Sequence, residues 1–329
     1  MPASGTLTRR TFATAALSTL ATVAAATSAL AQPAKVTRLV VAFPPGGPVD
    51  IVARVVAEQL GRELDQRVIV ENKAGANGGI SAEYVAHSPP DGTTLWFTSV
   101  GAAAINPSLY EKLAYDVARD FVPVSLVVNN VELLVVNPRD PADNAADFIA
   151  AARRRAEPTT IASTGIGSIP HLAMEQLADA TRANLLHVPY KGAAPAITDL
   201  MGGQVSGFFG DIPGLIAHVR AGRLKAVGIA AERRHPVLPD VKTLAEQGIP
   251  GVDSNNWYAL FAPARTPPET VDALNRALRR ALANPAVHER LMSSGAEPAP
   301  STPQELAALL ARDTEKWARI VRAKRIKGP

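Results

Sequence analysis

Three turns rich in glycine and proline carry the residues of this chain that could do chemistry, and the chemistry they suit is anion binding. They read Phe-Pro-Pro-Gly-Gly-Pro-Val-Asp over residues 43–50, Ser-Thr-Gly-Ile-Gly-Ser-Ile-Pro-His over 163–171 and Val-Pro-Tyr-Lys-Gly-Ala-Ala-Pro over 188–195. Each follows an apolar run and opens an amphipathic one, which predicts a strand, a tight turn and a helix. The first N–H groups of a helix have no partner inside it, and the helix dipole makes that end positive. Each turn is therefore a candidate anion site.

Individual residues in these turns also have ordinary structural roles. Turns of this kind before helices are common connections in α/β proteins. Asp50 could simply cap its own helix, Ser168 is a good N-cap, and His171 suits packing or capping better than a ligand contact. We expect Lys191 to face solvent. The prediction of a site therefore depends on the three turns meeting at one place.

Enzymatic patterns fail on detail in these turns. The stretch over residues 165–170 lacks the third glycine of a dinucleotide fingerprint, and the sequence contains no Walker-type loop. Ser168 occupies the place of a nucleophile elbow, but its neighbours do not match Gly-x-Ser-x-Gly. The six histidines show no metal-ligand spacing, and the sequence has no cysteine for zinc–thiolate or iron–sulfur chemistry. We expect no catalytic residue, metal or cofactor, and keep an exported hydrolase that uses Ser168 as an alternative.

Strand-like and helix-like runs alternate along most of the chain, which predicts an α/β protein with parallel sheets covered by helices. We predict a first lobe from residues 32–135 plus 256–329 and a second lobe from 136–255, joined by two crossing strands near 132–137 and 257–262. Ligands in such open sheets bind beyond the carboxyl ends of the strands, which here means between the lobes. The predicted strands cover residues 36–43, 67–71, 94–99, 124–128, 132–137, 160–164, 185–190, 205–211, 224–230 and 257–262. The predicted helices cover 51–64, 79–86, 145–155, 169–180, 195–201, 212–221, 268–283, 286–292 and 304–321.

The first 31 residues have the pattern of a secretory signal peptide. Thr-Arg-Arg-Thr-Phe over residues 8–12 precedes a weakly apolar run, and Ala-Leu-Ala over 29–31 is a small-x-small cleavage site. The paired arginines leave both twin-arginine and general export open. We expect a periplasmic mature chain of 298 residues whose formal charge falls from +4 to +2, since the leader holds two arginines and no acid. That balance does not favour a nucleic-acid partner.

Short blocks along the whole mature chain resemble a known family. The chain resembles the Bug-type extracytoplasmic solute receptors, the substrate-binding components of tripartite tricarboxylate transporters. The blocks include Phe-Pro-Pro-Gly-Gly-x-x-Asp at 43–50, Glu-Asn-Lys-x-Gly-Ala at 71–76, Asp-Gly-x-Thr-Leu at 91–95, Ala-Ile-Asn-Pro-Ser-Leu-Tyr at 104–110 and Val-Pro-Tyr-Lys-Gly-x-Ala-Pro-Ala at 188–196.

The resemblance implies a fold, a function and partners. It implies a two-lobed, type II periplasmic-binding-protein fold that closes like a Venus flytrap, with the two crossing strands as the hinge. The implied function is capture of a small carboxylate, often through backbone amides and ordered waters, for delivery to membrane permease subunits. The alternative is a ligand-sensing partner of a sensor kinase. We expect a monomer.

The resemblance also implies ligand contacts at matching positions, and this chain departs from the family at some of them. Pro45 and Pro48 stand where an alanine and a small polar residue are usual, so the first loop should be stiffer and a poorer hydrogen-bond donor. Asp211 adds a negative charge if it faces the cleft, which favours an amino-acid-like or less charged ligand. The expected contacts are Pro45, Gly46, Gly47, Asp50, Gly78, Gly79, Ser99, Thr164, Gly165, Ser168, Gly192, Ala193, Ala194 and Asp211.

Overall fold

Two mixed β-sheets with apolar clusters on both faces form the described part of the chain, residues 36–328 of a computed structural model. The first sheet contains β1 (Val36–Val41), β2 (Arg67–Asn72), β3 (Thr94–Ser99), β4 (Phe121–Asn130), β10 (Asn256–Pro263) and β11 (Glu297–Pro298), in the order β11-β4-β10-β3-β1-β2. The second contains β5 (Glu132–Val136), β6 (Thr159–Ser163), β7 (Leu185–Pro189), β8 (Gly207–Asp211) and β9 (Lys225–Ala230), in the order β7-β6-β8-β5-β9. The predicted signal peptide lies outside the described residues.

Helices connect most of the strands and cover the sheets. They are α1 (Pro48–Leu64), α2 (Gly79–Ala86), α3 (Asn106–Leu109), α4 (Val117–Asp120), α5 (Ala145–Arg154), α6 (Ile169–Thr181), α7 (Ala193–Gly202), α8 (Ile212–Arg220), α9 (Pro268–Ala283), α10 (Pro285–Ser294) and α11 (Pro303–Ala323). Among residues 36–328, no helix combines the length and the apolar character that crossing a membrane requires.

One strand in each sheet arrives from the other sheet and runs against its neighbours. β5 is antiparallel to β8 and β9, and β10 is antiparallel to β3 and β4, whereas β1 pairs with β2 and β3, and β6 with β7 and β8, in parallel. The expectation of parallel sheets is therefore wrong at these two strands and at the short β11, which is antiparallel to β4. A strand that the chain enters from the other sheet has no crossover helix over its own sheet, so nothing brings it back in the parallel direction. β5 lies wholly in the second sheet, and the exact division between the lobes stays a prediction.

The crossing strand β5 contributes side chains to the apolar clusters on both faces of the second sheet. Its residues Leu134 and Val136 join one apolar cluster, and Leu133 and Val135 join the cluster on the opposite face. Successive side chains of a strand point to opposite faces, so a strand covered on both sides must be apolar at every position. Glu132, the charged residue that begins this strand, is the exception, and it lies beneath the cleft described in the next section.

The C-terminal helix α11 completes the first sheet. Thr302 and Glu305 form a capping box at its start. Trp317 is fully buried against the first sheet, and the neighbouring Asp313 accepts a 2.7 Å hydrogen bond from Trp257 Nε1 of β10. The chain therefore returns to the first sheet after building the second.

Several short elements escaped the sequence analysis. A single π-helical turn covers Gly101–Ile105, and α3, α4 and β11 have four, four and two residues. The Gly-Ala-Ala-Ala-Ile turn is buried throughout, so its sequence has no polar face to show a helical period. Elements this short carry too few residues for any periodicity.

We expect Trp317→Ala to lower the free energy of unfolding by about 3–5 kcal/mol, because it deletes a large, fully buried side chain. Denaturant titration at neutral pH measures the change. Arg319→Ala, at an exposed position of the same helix, is the matched control and should change stability by less than about 0.5 kcal/mol. Equal losses in both variants would show that α11 does not hold the first sheet through Trp317.

Candidate ligand-binding cleft

A cleft lies where loops from the two sheets meet. Its wall on the first sheet comes from the turn before α1 and the end of β3, and its wall on the second sheet comes from the turns before α6 and α7. The end of β8 and the start of β10 also reach it. The enclosed space between these walls is about 50 Å³. The lining residues are Phe43, Pro44, Pro45, Gly47, Pro48, Val49, Asn77, Ser99, Gly101, Thr164, Ser168, Ile169, Pro170, Lys191, Gly192, Ala193, Ala194, Pro195, Asp211 and Asn256.

Three long helices begin at the cleft with their first turns exposed to it. Val49 in α1, Ile169 in α6 and Ala193 and Ala194 in α7 are first-turn residues that line the cleft. Their N–H groups have no acceptor within their own helices, and the dipole of each helix adds positive potential at this end. The three turns that the sequence singled out therefore meet at one place.

The cleft wall is otherwise mostly apolar. Asp211 and Lys191 are the two charged residues among the described residues that line it. Lys191 is exposed, as expected, and also lies at the cleft edge. Among the described residues that line the cleft there is no arginine, and three helices begin there, which suits one carboxylate on a largely apolar body.

The two lobes touch around the cleft. Asn77 Nδ2 donates a 3.2 Å hydrogen bond to the Gly167 carbonyl across the gap. A Cβ atom placed on Gly192 would lie 3.1 Å from Pro44 Cγ, and Gly192 has a φ of +109°, so a side chain there would be strained and crowded. The two lobes are therefore in direct contact beside the cleft.

Asp50 holds the first turn in shape from behind the cleft. Its carboxylate accepts hydrogen bonds from Gly46 N (2.9 Å), Arg54 Nε (2.9 Å) and Asn72 Nδ2 (2.8 Å). Burial opposes ionisation, but the hydrogen bonds from Arg54, Gly46 and Asn72 outweigh it and hold the pKa of Asp50 below its usual value. Asp50 does not cap its own helix at Gly47 but fixes the turn that precedes it.

Two stacked histidines support the second turn. The rings of His171 and His187 are 3.7 Å apart and nearly parallel. His171 Nδ1 accepts from Gly167 N at 3.1 Å, and His187 Nε2 lies 2.6 Å from Ser163 Oγ. Burial, together with His171, lowers the pKa of His187 to about 3, so that ring is neutral at neutral pH.

Ser168 is committed to the turn as well. Its hydroxyl donates to the Gly165 carbonyl at 2.7 Å and accepts from His171 N at 3.4 Å, as an N-cap does. His171 thus helps to shape the turn through both its backbone N–H group and its ring, which is the packing role expected for it.

The floor of the cleft consists of Glu132, Asp211, Asn256 and Tyr258, which come from the crossing strands β5 and β10 and from the end of β8. Asp211 lines the cleft and accepts hydrogen bonds from Asn256 Nδ2 (2.8 Å) and from the Tyr258 hydroxyl (2.7 Å). Glu132 lies beside Asp211 in the register of β5 and β8 and is fully buried. Burial and the charge of Asp211 raise the pKa of Glu132 well above its usual value.

The predicted contacts divide into two groups. Pro45, Gly47, Ser99, Thr164, Ser168, Gly192, Ala193, Ala194 and Asp211 line the cleft. Gly78 and Gly165 line a neighbouring open cavity of about 1230 Å³. Gly46 donates to Asp50, and Gly79 begins α2 as a buried residue. Whether any of the fourteen touches a ligand stays a prediction.

The sequence analysis missed three polar residues of the cleft and its floor. Asn77 and Asn256 line the cleft, and Glu132 lies beneath it. A glutamate at the head of the apolar run Glu-Leu-Leu-Val-Val was the available signal for the last. The two asparagines carried no local signal, because their place follows from the packing of distant segments.

Residues 52–326 match the model of a family described as "Tripartite tricarboxylate transporter family receptor". The chain belongs to this family. It is 38% identical over 301 residues to the protein BugT of Bordetella pertussis, an alignment that covers 91% of this chain and 92% of that protein.

Solved structures of similar proteins share the whole fold. The periplasmic binding protein BugD superposes with a TM-score of 0.84 at 33% identity, covering 90% of this chain and 99% of that one. Rhodopseudomonas palustris Rpa4515, solved with adipate, gives 0.85 at 32%, covering 88% and 97%. MatC (Rpa3494) from the same organism, solved with bound malate, gives 0.81 at 34%, covering 87% and 99%. The predicted family and two-lobed α/β fold are thus confirmed.

Membership of a receptor family decides between the alternatives on catalysis. This protein is a solute-binding receptor of the periplasmic type and not an enzyme, which removes the hydrolase that would use Ser168.

We expect Asp50→Asn to lower the free energy of unfolding at neutral pH by about 1–3 kcal/mol, since it weakens three hydrogen bonds to a buried charge. The pKa of Asp50 is lowered in the folded protein, so its contribution is present above the ordinary pKa and lost as the pH falls through the lowered one. The difference from wild type should therefore shrink at about pH 3.

Denaturant titrations at both pH values measure these changes. Glu58→Gln, which removes an exposed partner of Arg62 in the same helix, is the control and should cost less than about 0.5 kcal/mol. A difference between wild type and Asp50→Asn that grew in acid would contradict the assignment.

Proposed function

We propose that this receptor closes its two lobes on a small carboxylate solute in the periplasm and delivers it to the membrane subunits of a tripartite tricarboxylate transporter. The observation that carries the proposal is the meeting of the α1, α6 and α7 N-termini in one apolar cleft. The leader-like first 31 residues support export to that compartment.

Backbone donors can hold a carboxylate without an arginine. One helix end favours an anion by about 0.3–1 kcal/mol when exposed and by up to about 2 kcal/mol when partly buried. Three ends act together here, and closure removes water from around them. Hydrogen bonds from N–H groups to a charged oxygen contribute about 1.5–3 kcal/mol each when they are well formed. Together, the helix ends and these hydrogen bonds contribute enough free energy for a receptor that must bind its solute and then release it.

Closure would be a hinge motion at the two connections between the sheets. One is Val131, between β4 and β5, and the other precedes β10 at Asn256. The solute contacts both lobes only in the closed form, so it shifts the population toward that form. The inter-lobe bond from Asn77 to Gly167 is one of the contacts that closure would make.

The ligands of similar structures agree with this class of solute. Adipate is named in one and malate in another, and both are small dicarboxylates. The shared feature that supports the proposal is the carboxylate, which is what helix N-termini bind. A sensor-kinase partner would use the same closed form. Loss of solute uptake on deleting the receptor gene supports transport, and retained uptake with loss of solute-dependent gene induction supports sensing.

Ala193→Pro tests the backbone clamp directly. Proline is well tolerated at the first position of a helix, so the change removes one N–H donor and leaves α7 in place. We expect the affinity for a carboxylate that stabilises the wild type to fall by about tenfold or more, since a hydrogen bond to a charged group is lost. Isothermal titration calorimetry measures the change.

A thermal-shift screen of mono-, di- and tricarboxylates and amino acids first finds a carboxylate that binds. A ligand at about 100 times its dissociation constant adds about 2.7 kcal/mol of stability. Ala193→Gly keeps the N–H group and serves as the control, with affinity close to wild type. Unchanged affinity in Ala193→Pro, or no carboxylate that shifts the melting temperature, would contradict the clamp.

A further inference from the structure

The side chains below the cleft leave several buried polar atoms without partners. Among residues 36–328, the amide group of Asn130 and Asn256 Oδ1 have no hydrogen-bond partner. Glu132 is 0% exposed, Asn130 1% and Asn256 3%. Asn130 and Asn256 face each other in the register of β4 and β10, and Glu132 faces Asp211 in that of β5 and β8. Unpaired buried polar atoms are costly, and of these two asparagines Asn256 is the one that lines the cleft.

The two acids of this floor also lack a compensating charge. The groups that act on the charge of the pair are Asn256 and Tyr258, together with each acid on the other, and none of them is basic. Lys191 is the basic residue among the described residues that line the cleft, and it lies on the turn before α7. Two adjacent buried carboxyl groups cannot both ionise without a cation. The pair therefore holds one proton.

Hydrogen bonding decides which acid holds the proton. Asp211 accepts from Asn256 and Tyr258, which stabilises its charged form. Burial and the charge of Asp211 raise the pKa of Glu132 well above its usual value. Burial raises the pKa of Asp211 as well, but its hydrogen bonds from Tyr258 and Asn256 oppose that rise. We therefore place the proton on Glu132 and the charge on Asp211, which is the acid that lines the cleft.

We infer that this floor receives an ammonium group of the solute, so that the preferred solutes carry an amine as well as the carboxylate that the helix ends hold. An ammonium group has three N–H donors, and the residues at this end of the cleft offer three acceptors, on Asp211, Asn256 Oδ1 and the Ser99 hydroxyl. All three residues line the cleft. The inference rests on the proposed function, because it assumes that the carboxylate lies at the helix ends.

The sign of proton exchange separates this solute class from dicarboxylates. A second carboxylate at the floor would meet the charge of Asp211 and could settle there only if the pair took up another proton. Its affinity would then rise as the pH falls. An ammonium group requires no extra proton and favours ionisation of the pair, so its affinity should stay level or rise as the pH increases. The titrating groups are Glu132 and Asp211, since the pKa of Tyr258 lies well above its usual value.

Matched ligands of equal carbon number test the inference. We propose calorimetric titration of the full mature receptor with 6-aminohexanoate against adipate, 4-aminobutanoate against succinate and β-alanine against malonate. Work between about pH 6.5 and 8.5 keeps the carboxylates ionised and the amines protonated. Repeating each titration in two buffers of different ionisation enthalpy counts the protons exchanged.

We expect the amine of at least one pair to bind about tenfold or more tightly than its dicarboxylate, without proton uptake. Asp211→Asn should reduce that preference by about tenfold, because it removes the charge that faces the ammonium group. Asp272→Asn, at an exposed position of α9, is the control and should leave the preference unchanged. Melting temperatures of the variants without ligand establish that each is folded, and the proton count in the wild type decides the matter if Asp211→Asn does not fold.

Each result has one meaning. Tighter binding of dicarboxylates at every length, or a preference that survives Asp211→Asn, overturns the ammonium floor and leaves the proposed function standing. Failure of every carboxylate to bind, with or without an amine, overturns the proposed function instead. If amine ligands bind equally well when their carboxylate is replaced by an amide, the amine site is correct and the carboxylate site at the helix ends is wrong.

Discussion

Each sheet contains one strand that the chain enters from the other sheet, and this strand runs antiparallel to the neighbours that it joins. Its first residue therefore lies beside the last residues of the parallel strands. Glu132 begins β5 next to the end of β8 at Asp211, and Asn256 begins β10 next to the end of β4 at Asn130. The ends of β3 and β8 and the turns before α6 and α7 meet at the same edge. The crossing thus places the cleft between the sheets and puts a polar floor beneath it.

The walls of the cleft could be predicted from the sequence because their signals are local. A glycine- and proline-rich turn between an apolar run and an amphipathic run can be recognised from its own residues. Parts of all three turns, at residues 43–50, 163–171 and 188–195, line the cleft. The floor could not be predicted in the same way. Glu132 and Asp211 are 79 positions apart in sequence and meet through strand register, and Asn256 joins them from a third segment. A single charged residue at the start of an apolar strand indicates a buried polar position, but it does not identify the residues that lie next to it.

The first turn owes its shape to packing as well as to its own prolines. Pro44 lies against Gly192 and Pro48 against Gly214, so in both contacts a ring of one lobe fills the space that a glycine of the other leaves open. Asp50 ties the same turn to α1 and β2. The turn therefore loses some hydrogen-bond donors to proline, as expected, but gains a fixed surface on which the second lobe can close.

Backbone and side chains divide the work of recognition in this cleft. The N–H groups at the helix ends belong to the fold, and a substitution other than proline leaves them in place. Under the proposed function they hold the carboxylate of the solute and so define the class of solute that a receptor of this shape can take. The floor consists of side chains, and one atom changed at Asp211 alters both its charge and the proton balance with Glu132. Discrimination among carboxylates should therefore come from the floor, where side chains rather than backbone donors meet the second end of the solute. The same division explains why the helix ends alone, which are the part the sequence reveals, identify a carboxylate receptor without identifying its solute.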